Sequence, residues 1–420
     1  MTRTENEIWS NSWVMTHAEE MLPMLIQIRR RLHQHPELGT DEYETGAIIR
    51  EYLDQWGISY QYPCADTGLV ALVKGKKTAA CPETAGGENP SCQGGMVTVA
   101  LRADMDALPV QEDESRSYCS RNPGVMHACG HDAHMTIALG AAWLLKKYEK
   151  EWAGNVKIFF QPAEETCGGP ERMVQEGCME NPHVDYVLGL HMMPSYEYGE
   201  VELKYDDLNA SSDEVRLIIT GKGCHGAYPD GGIDAITAAA ALIQSLQSLV
   251  SRRISPFQNA VLSLGTIKGG TAANVVAERV EVEGTLRTTN PQTRRMAKAY
   301  IRQMTENICR AYGGEGETIF NPGYDALINN NEIVDLVVET VSQTLGKEHV
   351  HFKPFPSLGV EDFSFFLNKA PGAFYHLGCA CREKGIGAPL HNSQFDIDER
   401  ALSLGAALQV MLVIKLLKRG

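Results

Sequence analysis

The sequence predicts an α/β protein, a mostly parallel sheet flanked by helices, with a smaller α+β domain inserted into it. Three observations carry this expectation. Segments of β-forming residues alternate with segments of helical periodicity through residues 1–207. A β-α-β-β-α-β succession follows before the chain returns to the first pattern. Acidic and histidine residues recur just past the ends of the expected strands, where open parallel sheets build their sites.

Residues 15–33 carry Ala18, Met21, Leu22, Leu25, Ile28 and Leu32 at helical spacing and stop before His35-Pro36. A second helix is expected over 40–56, from Tyr43, Ala47, Ile48, Tyr52, Leu53 and Trp56, with Gly57 as its stop. Residues 69–74 and 96–103 are runs of β-formers. Between them, 76–95 is rich in Gly, Pro, Thr and Glu and reads as a long loop, in which Cys81 and Cys92 pair only in an oxidising setting. Residues 134–152 form an amphipathic helix through Ile137, Ala141, Leu144, Leu145 and Tyr148. A strand over 156–161 stops at Pro162 and leaves Glu164-Glu165 past its end, and a short strand over 186–190 puts His191 at its tip.

The rhythm changes near 207–213. Strands at 215–220, 260–267, 280–287 and 317–320 and helices at 235–250 and 292–312 make a compact ferredoxin-like unit. The expected division is therefore 1–207 with 324–420 as the main domain and 208–323 as the insertion. The returning segment carries His391 and ends in an apolar helix over 399–417.

The 420 residues are 43% hydrophobic and 22% charged, an ordinary globular composition. The balance of 38 basic against 53 acidic residues, a net charge of −15, disfavours nucleic acid or an anionic membrane as partner. The first fifteen residues lack the apolar core of a secretory signal, and no uninterrupted apolar run approaches the roughly 18 residues of a membrane span. Eleven cysteines without knuckle spacing read as mostly reduced and buried, with the cytoplasm as the default compartment.

The chemistry concentrates in Met126-His127-Ala128-Cys129-Gly130-His131-Asp132-Ala133-His134, followed by Glu164-Glu165, His191 and His391. Zinc-like and manganese-like ions take N, O and S ligands, and this set exceeds the needs of one ion. Structural sites close on ligands bunched in one or two knuckles, whereas these are far apart in the chain, so a catalytic pocket with two ions is the better expectation. Cys129 and His131 reach neighbouring ions, and a nearby cation deprotonates a thiol of free pKa ~8.5. Neighbouring side chains in Glu164-Glu165 diverge, so Glu165 is free to ligate while Glu164 acts as general base on a water acidified by metal. Asp104 and Asp106 stand where a carboxylate orients the free nitrogen of His131. His127, Asp132 and His134 are weaker candidates, at least one of them a packing or helix-start residue. His225, on a glycine-rich loop, and Asn274 and Arg287, at strand or loop ends, receive no role from spacing alone.

These residues resemble the M20 family of metallopeptidases and amidohydrolases, in its aminoacylase-like branch of N-acyl-amino-acid amidohydrolases, hippurate hydrolases and auxin-conjugate hydrolases. The resemblance runs through RRRLHQHPELGTDE, LRADMDALPV, MHACGHDAH, QPAEET, GLHMMP, GKGCHGAYPDGGIDA, GGTAANVVAERVEVEGTLRT, LGVEDFSFF and PLHNSQFDID. It implies that Cys129 bridges two divalent ions per subunit, with His131 and His191 completing one ligand set and Glu165 and His391 the other. Zinc or manganese come first, and cobalt or nickel also suit so mixed a shell. It further implies Glu164 as the base, Asp106 as the carboxylate orienting a ligand histidine, and the insertion as a lid and dimerisation domain of a homodimer. Within that lid His225 is implied to stabilise the oxyanion from the partner's side, and Asn274 and Arg287 to recognise substrate carboxylate or carbonyl. The implied substrate is a small N-acyl amino acid. The 76–95 segment departs from the family pattern.

Three rival readings remain. A cysteine-nucleophile amidase built on Cys129 and His131 would be trapped by electrophiles and indifferent to chelators. A catalytically silent binding protein would lack a ligand or the base, yet the full set is present. A dipeptidase or carboxypeptidase of the same family would prefer free peptides to N-acyl amino acids.

Overall fold

The computed structural model describes residues 8–77, 96–113, 115–166 and 168–419. The expectations for 78–95, Cys81 and Cys92 among them, lie outside these residues, as do residues 1–7 of the N-terminal segment read above. In chain order the elements are α1 (Asn11–His33), α2 (Tyr43–Gln55), β1 (Ser59–Cys64), β2 (Gly68–Lys74), β3 (Thr98–Asp104), α3 (His131–Lys147), β4 (Asn155–Gln161), α4 (Gly169–Gln175), β5 (Tyr186–Glu197) and β6 (Val201–Leu203). There follow β7 (Asp207–Asn209), β8 (Ser211–Thr220), β9 (Cys224–His225), α5 (Ala235–Ser248), β10 (Ala260–Gly269), β11 (Val275–Val276), β12 (Arg279–Thr288), α6 (Pro291–Ala311), β13 (Glu315–Pro322) and β14 (Leu327–Ile328). The chain closes with α7 (Asn331–Thr344), β15 (Val350–Phe352), α8 (Ser364–Leu367), β16 (Gly372–Ala380) and α9 (Arg400–Leu417).

Two units result: Met1–Asp206 with Asn329–Pro354 and Phe365–Gly420, and Asp207–Ile328 with Phe355–Ser364. The second takes in a stretch that a contiguous 208–323 insertion does not include. Backbone pairing explains this, because Ser357 donates to Leu208 O (2.8 Å) and accepts from Ala210 N (2.9 Å).

The first unit is built on an eight-stranded sheet of order β1-β2-β4-β3-β5-β16-β6-β15. Its centre, β4-β3-β5-β16, is parallel throughout, and antiparallel pairs join β1, β2 and β6 to it. One face buries Leu101, Ile158, Leu188, Leu190 and Leu377 in a core shared with α1, α3 and α9. By length and composition alone α9 passes as a membrane span, but 83% of it is buried, the setting of a core helix that is apolar all round. β5 runs on to Glu197, so His191 sits within a strand rather than at its tip. The second unit holds a four-stranded antiparallel sheet, β10-β12-β8-β13, with α5 and α6 packed on its core, the ferredoxin-like order expected.

α1, α3 and α9 meet at Gly140, where an added Cβ would lie 2.9 Å from Leu25 Cδ2 and 3.3 Å from Ala406 Cβ. Cores tolerate such overpacking poorly. Gly140→Val is therefore expected to lower stability by about 1–3 kcal/mol, read as a lower urea midpoint, and an unchanged midpoint would contradict this packing.

Candidate metal centre

β3 lies between β4 and β5, and the chain leaves it first to one side and then to the other. Such a reversal opens a crevice beyond the carboxyl end of the central strand. β3 ends at Asp104, and Asp106 follows directly. β4 ends at Gln161, and Pro162 and Ala163, the latter with a left-handed φ of 57°, turn the chain into Glu164-Glu165. The last β5 residue paired with β3 is Gly189, so His191 lies just past the end of that ladder. Between Cys129 and His131, Gly130 takes φ 89° and caps α3; its missing Cβ also makes room for Met192, whose Cβ would lie 3.1 Å away.

These elements, with the segment that carries His391, bring six candidate donors together. Candidate ligand atoms of Cys129, His131 and His191 lie within 4.8 Å of one another, as do those of Cys129, Glu165 and His391 and those of His131, Glu164 and Glu165. Cys129 Sγ is 3.4 Å from His191 Nε2, His391 Nε2 is 3.3 Å from Glu165 Oε1, and His131 Nε2 is 4.0 Å from the same oxygen. The far ring nitrogens are already engaged: His131 Nδ1 bonds the Asp106 carbonyl (2.9 Å) and His191 Nδ1 the Met192 carbonyl (2.7 Å). Both rings thereby present Nε2 to the thiol, and His131 Nε2 is buried without a hydrogen-bond partner. An orphaned imidazole nitrogen beside a buried thiol and a carboxylate fits divalent cations of the zinc and manganese type. The Asp106 carboxylate ties the two halves, with Oδ1 3.3 Å from His131 Nδ1 and Oδ2 accepting from Glu165 N–H at 2.9 Å.

Burial pushes the Cys129 thiol well up, and Glu164 and Glu165 add to this against the opposing pull of His131. A thiol so held is a poor unassisted nucleophile, which weighs against the cysteine-amidase rival. Burial would lower His131, yet the charge of Asp104 and the bond to Asp106 outweigh it and favour positive charge at that point. Burial and the neighbouring His134 push His191 well down, leaving a neutral ring. Burial would raise Glu165, but His391 and His131 hold it down, and Glu165 in turn raises His391.

Further residues surround these donors, and of them Arg102, His376 and Glu202 carry no sequence signal of their own. His134 Nδ1 bonds Asp104 (2.6 Å) while its Nε2 accepts from Met192 N–H (2.8 Å), clamping the strand beside His191. Arg102 holds the other Asp104 oxygen at 2.6 Å, so Asp104 serves His134 rather than reaching His131 closely. His376 on β16 is in register with His191, and its Nδ1 bonds Glu202 at 2.7 Å. Asp132 is held by Arg29 and His33. His127 has no hydrogen-bond partner on either ring nitrogen, and burial pushes it down to about 3, so it packs as a neutral ring.

His225, Asn274 and Arg287 all belong to the second unit. His225 is not on an open loop but on β9, paired with β11, and Gly226 N–H donates to Asn274 O at 2.7 Å, so these two residues are neighbours. Arg287 lies on β12 opposite Ser212, with Nη1 buried and unbonded.

A model described as peptidase family M20/M25/M40 matches residues 100–415. The chain is 37% identical to "Thermostable carboxypeptidase 1" of Saccharolobus solfataricus, over 95% of this chain and 96% of that one. It is 36% identical to "N-acetyl-L-cysteine deacetylase" of Bacillus subtilis (93% and 89% covered) and 35% identical to "IAA-amino acid hydrolase ILR1-like 4" of Arabidopsis thaliana (98% and 90%). Among solved structures it resembles a putative aminohydrolase from methicillin-resistant Staphylococcus aureus, with TM-score 0.87 and 32% identity over 97% and 100% of the chains. It also resembles the Bacillus subtilis YXEP protein, described as a dinuclear metal binding peptidase of the M20 family, with TM-score 0.77 and 30% identity over 95% and 99%.

Burial alone would raise the Glu202 carboxyl, but the bond to and charge of His376 outweigh it and hold it down to about 2. A carboxyl depressed below its unfolded value of ~4.3 contributes stability above that pH and loses it as pH falls through the folded value. The stability deficit of Glu202→Gln should therefore be full at pH 7 and shrink between about pH 5 and pH 2; a pH-independent deficit in urea unfolding would refute the pairing.

Proposed function

Because the chain belongs to peptidase family M20/M25/M40, as a metal-dependent hydrolase, we propose that it hydrolyses the amide of N-acyl amino acids, releasing a carboxylic acid and a free amino acid. The observation that carries this reading is the convergence of one thiol, three imidazoles and two adjacent carboxylates on the crevice past β3. The deacetylase and the auxin-conjugate hydrolase among the relatives support the substrate class.

In this reading Cys129, His131, His191, Glu165 and His391 would together hold two divalent ions, His131 and His191 serving one, Glu165 and His391 the other and Cys129 shared between them; zinc or manganese are the metals proposed. Bound there, such ions polarise the amide carbonyl and bring the pKa of water toward ~7. Glu164 takes the proton from the attacking water and returns it to the leaving nitrogen, so that one carboxylate serves as base and then acid. Asp106 is a positioning residue, since the same carboxylate faces His131 and holds the Glu165 backbone. His225 stabilises the oxyanion, and Asn274 and Arg287 bind substrate carboxylate or carbonyl. A homodimer through the smaller unit is part of the proposal, supported by the outer edge of β10, which pairs with no strand among the described residues and exposes Ile267. A cytoplasmic setting would keep the thiolate donor reduced.

Hydrolysis of acetyl-, benzoyl-, phenylacetyl- and indolylacetyl-amino acids, beside free dipeptides, tests the substrate class. Turnover of at least one N-acyl series well above any dipeptide is expected. The reverse order would favour the carboxypeptidase reading, which the Saccharolobus relative suggests. Glu164→Ala should retain both metals and lose about 10²–10⁴ in kcat, and substantial residual activity would remove it as the base. His225→Ala should lower kcat with unchanged metal content; kinetics equal to wild type would take it out of the mechanism.

A further inference from the structure

The proposed ligands are not held with equal rigidity. His131 opens α3 and His191 lies within β5, but His391 stands in a segment without helix or strand that runs up to α9. Its backbone is left-handed (φ 61°), a conformation unfavourable outside glycine, and its side chain is 53% exposed. Near the ligand itself the segment is anchored from His391 N–H to Ala128 O at 2.8 Å and from Asp113 N–H to Ser393 O at 3.0 Å, with Gln394 Nε2 donating to Asp113 at 3.2 Å.

One buried guanidinium links this segment to the start of α3. Arg29, fully buried in α1, sets Nε 2.7 Å from Asp132, the residue after His131. Its Nη2 lies 2.9 Å from Asp396 and its Nη1 3.6 Å from Glu399, ion pairs without hydrogen-bond geometry to the stretch that follows His391. Tyr118 donates its hydroxyl to Asp396 at 2.8 Å, and Arg116 donates to the carbonyls of Phe395 and Gln394 at 2.9 and 2.6 Å. His33 completes the set between Asp132 (2.8 Å) and Glu112 (3.0 Å).

Stability does not explain this network. Desolvating a guanidinium and several carboxylates costs several kcal/mol per ion, and apolar replacements of buried ion pairs are often neutral or stabilising. A planar guanidinium does what apolar packing does not: from one rigid body it hydrogen-bonds Asp132 through Nε and holds Asp396 by charge at Nη2. Here one carboxylate follows His131 and the other lies five residues past His391. We infer that Arg29 is a positioning residue that locks the His391 segment to the start of α3, so that the half of the centre formed by Glu165 and His391 assembles only when this fork is engaged. The inference rests on the ligand assignment proposed above.

Uptake of Zn²⁺ by the apoprotein, followed by titration calorimetry, tests it, with thermal unfolding as the control for folding. Wild type should take up two equivalents per chain. Arg29→Lys, which keeps the charge and loses the fork, should keep one equivalent at wild-type affinity and bind the second about 10- to 100-fold more weakly. A merely structural role would lower the unfolding temperature and weaken both equivalents alike, and that result, like unchanged binding of both, overturns the inference. Tyr118→Phe removes a single hydroxyl from Asp396 and covers the case in which Arg29→Lys does not fold: selective weakening of the second equivalent supports the fork, and two unchanged equivalents refute it. Wild type binding fewer than two equivalents would instead sink the ligand assignment, and the inference with it.

Discussion

A thiol and two imidazole nitrogens face one another across a desolvated crevice, with a carboxylate completing the ring, and most of what surrounds them follows from that meeting. Burial raises the Cys129 thiol, the far nitrogens of His131 and His191 are committed to backbone carbonyls, and His131 Nε2 has no hydrogen-bond partner. Polar atoms so placed are costly unless something of opposite charge joins them. The acidic residues behind the ring, Asp104 and Asp106, supply a negative potential that favours cations at this point. Gly130 lets the chain reverse between two donors, and the early end of the β3–β5 ladder leaves His191 beside the crevice.

Rigidity grades across the site. The donors nearest the sheet are carried by regular elements and clamped twice, His131 through Asp106 and the strand of His191 through His134 and Met192. His391 hangs on an irregular segment whose geometry is set by ionic side chains from α1 and from the 112–118 stretch.

Much of this was legible in the chain. The residues past β3 and β4 stand out because parallel strands end abruptly and place polar groups where an apolar run stops. Their convergence was expected from chemistry, since a thiol, three imidazoles and paired carboxylates have few other uses in common. Other parts carried no readable period. β16 is buried along its whole length, so GAFYHLGCA shows no alternation, and the pairing of His376 with His191 across it was hidden. β5 was cut short at Leu190 because His191 interrupts the apolar run, although the strand continues to Glu197. The Arg29 network joins positions a hundred and more residues apart, and no local pattern announces a buried arginine in a helix otherwise read as amphipathic. The return of 355–364 to the smaller unit rests on two backbone hydrogen bonds that composition does not encode.

Anomalous diffraction from crystals of the metal-loaded protein, recorded at the absorption edge of the bound metal, tests the central claim most directly. Two peaks are expected in each chain, both within bonding distance of Cys129 Sγ, one beside His131 and His191 and the other beside Glu165 and His391. A single peak, or peaks that leave Cys129 uncoordinated, would contradict the account.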